Sequence, residues 1–192
     1  MTLFEFVSVM FSIILGLSLS QILVGLARLV RDPNEVRTFG PQVIWTVTLV
    51  LMHFLLWWSI WDFRDVAWNY PRFVVASFEP LLLFFMGALL LPSAAGSAVI
   101  DLKSHFQRVR PWLMSLYAAL MIVFLLDGPL IFQSESLWSG YRIPQLLALV
   151  AVLLGLKTKD ARHHWVISLV VLGVILSGSA FRFLPAAFAP GS

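Results

Sequence analysis

Six apolar runs take up most of this chain, at about residues 3–30, 41–63, 71–91, 111–132, 140–156 and 163–184. A helix needs about 20 mainly apolar residues to cross about 30 Å of hydrocarbon. Inside that layer every backbone N–H and C=O must be bonded within the chain, so long apolar runs of this kind are used as helices. With 60% apolar and 12% charged residues in 192, and a mean hydropathy of +0.91, no stretch remains for a water-soluble domain. The expected fold is all-α: one polytopic transmembrane helical bundle of about six helices filling residues 1–192. The lipid bilayer is its first expected partner, in a cell membrane, with the bacterial inner membrane as the expected compartment. The first run is too long for a signal-peptide core and lacks a basic leader, so a retained helix is expected there.

The placement of charge gives an orientation. Arg28, Arg31 and Arg37 follow the first run, Lys103, Arg108 and Arg110 the third, and Lys157, Lys159 and Arg162 the fifth. The opposite side carries only Arg64, Arg72, Arg142 and Arg182. Nine against four puts the basic side in the cytoplasm and both termini outside it. Tryptophans repeat the pattern, with Trp45, Trp112 and Trp165 opening the even-numbered runs and Trp57, Trp58, Trp61, Trp68 and Trp138 clustering at the other boundary. Orientation thus explains the net charge of +3, and no nucleic-acid partner is expected. The chain has no cysteine, which removes disulfides, thiolate metal sites and cysteine nucleophiles.

Function is then expected from the few polar residues within the runs. Glu79 lies about nine residues into the third run, followed by Pro80. A carboxylate near mid-bilayer costs at least about 2.5 kcal/mol, so it must face the bundle interior, take a proton or find a cation. Pro80 leaves the carbonyl of Ala76 without its helical donor. His53 sits at similar depth in the second run, and a hairpin of the two runs would let it meet Glu79 as a proton-exchanging pair. His53, Trp57 and Trp61 are spaced i, i+4, i+8, so one face is expected to present both tryptophans to a pocket. Asp127-Gly128-Pro129 interrupts the fourth run, and Arg182 occupies a comparable position in the sixth, as an expected counter-charge to Asp127, Glu79 or Glu5.

In the first run Glu5, Ser8, Ser12, Gly16 and Ser20 follow helical spacing, a small-residue seam for packing within or between protomers. Gln21 is a candidate polar contact on the opposite side. His163 and His164 point about 100° apart and are expected at the boundary rather than on a metal. The dipeptides Pro41-Gln42 and Pro144-Gln145 superficially resemble the paired Pro-Gln of PQ-loop transporters, but both open helices instead of lying within the membrane, and no membership is read from them.

No zinc-protease, phosphate-loop or serine-hydrolase motif is present, so an enzyme is not expected, nor a metal or cofactor. The leading expectation is a small channel or transporter, as a homo-oligomer, moving ions, protons or a small solute. Its candidate ligand-binding residues are Glu79, His53, Asp127, Arg182, Glu5 and Gln21. The alternatives are a membrane receptor, sensor or accessory subunit acting by helix–helix or ligand binding and, behind it, an intramembrane enzyme or redox carrier.

Overall fold

The structure, a computed structural model, describes residues 2–31, 36–92, 100–132 and 142–187, with side chains as far as residue 178. Six helices make up almost all of it: α1 (Leu3–Arg31), α2 (Gly40–Ser59), α3 (Tyr70–Leu90), α4 (Leu102–Asp127), α5 (Ile143–Lys157) and α6 (Ala161–Ala187). The all-α bundle expected from the apolar runs is what forms.

Local chemistry sets the helix starts. Thr2 and Glu5 form a reciprocal capping box on α1, in which Thr2 N donates to Glu5 Oε2 at 2.8 Å and Glu5 N donates to Thr2 Oγ1 at 3.2 Å. Asn69 caps α3 by accepting from Arg72 N at 3.0 Å. Proline occupies the first turn of α2, α3 and α5, where its missing N–H is not needed. The fourth helix starts nine residues before the expected position. Asp101 caps it by accepting from Lys103 N at 3.0 Å, and Pro111 is carried inside the helix instead of opening it.

Around the bundle the helices follow the order α1, α3, α4, α5, α6, α2 and back to α1, with α2 also touching α3. Sequence neighbours α2 and α3 are joined by a 3₁₀ turn, Ile60–Asp65. The core is built from one stripe of each helix. In α1 that stripe is Val7, Phe11, Leu15, Ser18 and Ile22, at helical spacing. Trp45 of α2 meets Tyr117 of α4 edge to face, with ring centroids 5.2 Å apart.

The outside of the bundle is as apolar as the inside: Phe54, Phe85, Ile122, Leu154 and Val166 all point away from it. Such a surface is stable only against hydrocarbon. Five segments are long and apolar enough to cross a membrane, namely Leu3–Arg31, Gly40–Asp65, Tyr70–Leu90, Leu102–Phe132 and Ala161–Gly178. The chain is therefore a multi-pass membrane protein. The fifth helix is the exception among the six expected spans, because its 15 residues cover only about 22 Å.

The connections after α1, α3 and α5 gather at one end, here the basic end. Val36–Arg37 (β1) and Ile100–Asp101 (β2) pair there as two short parallel strands. Gln107 Nε2 donates to the carbonyl of Lys159 at 3.1 Å, which draws the α5–α6 connection to the same place.

Candidate functional site

Glu79 and Asp127, 2% and 9% exposed, face each other across α3 and α4 and share a hydrogen bond. The other oxygen of each, Glu79 Oε1 and Asp127 Oδ1, is buried with no hydrogen-bond partner among the described residues. Both acids sit where their helices are disturbed. Pro80 follows Glu79 within α3, and Asp127 is the last residue of α4 before a π-helical turn, Gly128–Phe132. Such turns recur at functional sites.

Arg142 supplies the positive charge. Pro129 has no N–H to give to the carbonyl of Leu125, four residues earlier, and Arg142 Nη1 donates to that carbonyl at 2.6 Å. The bond holds the buried guanidinium near Asp127, close enough to act on its carboxylate. An acid pair and an arginine thus meet where three helices, α3, α4 and α5, come together.

The second polar layer lies one turn of α3 further toward the basic end. Leu83 follows Glu79 by four residues, a rise of about 6 Å. Its carbonyl accepts from Ser18 Oγ of α1 at 3.0 Å. His53 of α2, 1% exposed, places Nε2 2.7 Å from the same hydroxyl and Nδ1 2.6 Å from the carbonyl of Leu49. Three helices meet again, this time around an imidazole.

The expected residues therefore divide. The structure brings Glu79 and Asp127 together and places Arg142 beside Asp127. It gives His53 the partners Ser18 and Leu49, and both ring nitrogens are engaged there instead of by Glu79. The expected Arg182 counter-charge has a side chain outside the described residues. Glu5 is exposed and serves in the α1 cap. Gln21 is exposed rather than in a buried contact. Trp57 and Trp61 are 48% and 63% exposed and lie on the outer surface, not in a pocket. Trp61 instead stacks edge-on against Phe4 and lies under the Arg64 guanidinium, 5.3 Å from its centre. Ser8, Ser12 and Gly16 are half-buried and Ser20 is exposed, and a methyl group added at Gly16 would meet nothing within 4 Å.

Two functional candidates carried little sequence signal. Ser18 looked like one small residue among many and Arg142 like a loop cation. Only Arg142 had a usable clue, since Pro129 leaves a carbonyl in need of an outside donor. Among the described residues no group of three or more His, Asp or Glu side chains is placed to hold a metal ion. No known protein family, curated protein or solved structure matches the chain, so the site is read from its own chemistry.

Proposed function

We propose that this protein translocates protons across a membrane, as a transporter or channel, with the Glu79–Asp127 pair as the loading site and His53 as the next station. The observation that carries this reading is the carboxyl–carboxyl hydrogen bond beside Arg142, inside a bundle that faces hydrocarbon. Such a bond needs one proton between the two acids, which leaves the pair with a single negative charge opposite the guanidinium.

Charge balance supports movement of that proton. With it on the acids and His53 neutral, the acids contribute one negative charge and Arg142 one positive. With it on His53, the acids contribute two negative charges against one positive each from Arg142 and His53. The set is neutral either way, and the cost of burying net charge is avoided in both states. Pro80 and the π-helical turn loosen the backbone beside each acid, so small shifts can open and close the route. The positive-inside rule puts the basic end in the cytoplasm, so the acid pair loads from the opposite side. A second copy packing on the open side of α1, at Gly16, belongs to the same proposal.

The test is proton flux into liposomes under an imposed pH gradient. Glu79→Gln or Asp127→Asn is expected to lower it at least about tenfold. A second reading, a receptor or accessory subunit, is favoured by the position of the cavities. An apolar groove of about 300 Å³ lies between α1 and α2, and a hollow of about 440 Å³ lies at the start of α1, and neither is lined by Glu79 or Asp127. Under that reading the substitutions leave flux unchanged.

A further inference from the structure

The contacts of His53 and Ser18 fit both a neutral ring and an imidazolium, which differ in where the Ser18 hydroxyl proton points. Carbonyl oxygens only accept, so the 2.6 Å contact with Leu49 needs the proton on Nδ1. If the Ser18 hydroxyl donates to the Leu83 carbonyl at 3.0 Å, its proton is used there. Ser18 Oγ then offers only lone pairs to His53 Nε2 at 2.7 Å, and this contact needs a proton on Nε2 as well. That placement describes an imidazolium, and it goes with two ionised acids at the Glu79–Asp127 pair.

A neutral ring cannot make all three. If it keeps its bond to Leu49, Nε2 becomes an acceptor, and Ser18 must swing its O–H from the Leu83 carbonyl to the ring. The bond between α1 and α2 is then kept with its direction reversed, and the bond between α1 and α3 is lost. The site is built tightly enough for this change to matter. Ser18 is fully buried, and a Cβ at Gly87 would stand 2.9 Å from Ser18 Oγ, so the glycine is what lets the hydroxyl reach the backbone of α3.

We propose that Ser18 is a positioning residue that reads the charge of His53, bonding α1 to both α2 and α3 when the ring is charged and to α2 alone when it is neutral. The proposal rests on the reading of the acid pair as a proton-loading site, because that proton is the one His53 would receive. The groups around the ring fit the role. The first helix presents Ser18, and α3 presents the Leu83 carbonyl with Glu79 one turn away on the same face. The fourth helix contributes Asp127 beside Glu79, and Tyr117 toward the basic end. The sixth, also packed on α2, has its described ionisable side chains Arg162, His163 and His164 at the basic end. Among the described residues, the charges placed to balance an imidazolium here are those of the acid pair.

The test is nitrogen NMR of histidine-labelled protein in phosphatidylcholine vesicles between about pH 5 and about pH 8. Unaltered protein is expected to show His53 passing from a neutral ring protonated at Nδ1 to an imidazolium as pH falls. In Ser18→Ala the charged ring loses a charge-assisted bond, roughly twice as strong as the neutral one lost by the other state. The ratio of imidazolium to neutral ring at a given pH is therefore expected to fall about tenfold. A neutral ring protonated at Nε2, a ring that does not titrate, or an unchanged ratio in Ser18→Ala would each overturn the switch. Unchanged flux in Glu79→Gln, with His53 behaving as described, would instead remove the acid-pair reading and leave the switch standing.

Discussion

The polar groups at the basic end and those in the far half of the bundle solve different problems. At the basic end four side chains donate to carbonyls where a helix stops. Gln42 reaches the Leu90 carbonyl at 2.5 Å, His105 reaches Leu89 at 3.0 Å, and Arg110 and His164 both reach Thr158, the cap of α5. These are the carbonyls that a helix end leaves without partners, and once bonded they ask for nothing more. In the far half the partners are two acids, an arginine and a histidine, buried where helices meet. Their bonds depend on where a proton sits. The first arrangement holds a structure together, whereas the second has two ways of being satisfied.

The largest test of that contrast removes one arginine from each region. Arg142→Met leaves the acid pair buried without its cation, and the expected cost is about 3–5 kcal/mol. Arg110→Met removes a donor from the Thr158 carbonyl, with an expected cost of about 1–3 kcal/mol. Reversible unfolding in mixed micelles measures both, and equal losses would erase the distinction.

Glycines sharpen it next. A Cβ at Gly87 would press within 2.9 Å of Ser18 Oγ and 3.3 Å of Ser18 O, so Gly87→Ala is expected to cost about 1–3 kcal/mol by separating α1 from α3. Gly16→Ala has open space around it and is expected to leave the unfolding of the single chain unchanged or slightly improved. Gln42→Leu at the basic end should cost about 1 kcal/mol while leaving proton flux intact, because its bond to Leu90 only ends a helix.

The smallest effect concerns pH. The hydroxyl of Ser104 at 2.6 Å and the N–H of Lys103 at 3.0 Å hold the Asp101 carboxyl below the usual carboxylate range. A folded-state value below the unfolded one stabilises the protein above the ordinary value of about 4, and the benefit is lost as pH falls through the lowered value. Thermal unfolding of Asp101→Asn should therefore differ from that of the unaltered chain at neutral pH and converge with it in acid.

Apolar runs made the bundle legible, because run length and hydrocarbon thickness leave few alternatives. Helix starts were read less well. The fourth start was missed because Pro111 looked like a first-turn proline, whereas Asp101 and Ser104 form the actual cap. Within the site, Glu79 and Asp127 stood out singly, each as an acid in an apolar run beside a proline. Their partnership did not, since chain adjacency pointed to α2 as the neighbour of Glu79, while α3 packs most closely against α1 and α4. Ser18 was invisible for a different reason. A buried serine on an apolar face has no signature until the carbonyl and the ring it bridges are in place. The tryptophans misled through spacing: His53 is buried, while Trp57, one turn on in α2, and Trp61, in the 3₁₀ turn that begins at Ile60, are exposed.

Proton flux through reconstituted liposomes, compared between the unaltered protein and Glu79→Gln, tests the central claim most directly. Proton movement in the unaltered protein, falling at least about tenfold in the variant, is the predicted result. Equal flux in a variant that is folded and inserted to the same extent would contradict it, and the acid pair would then be a structural lock between α3 and α4.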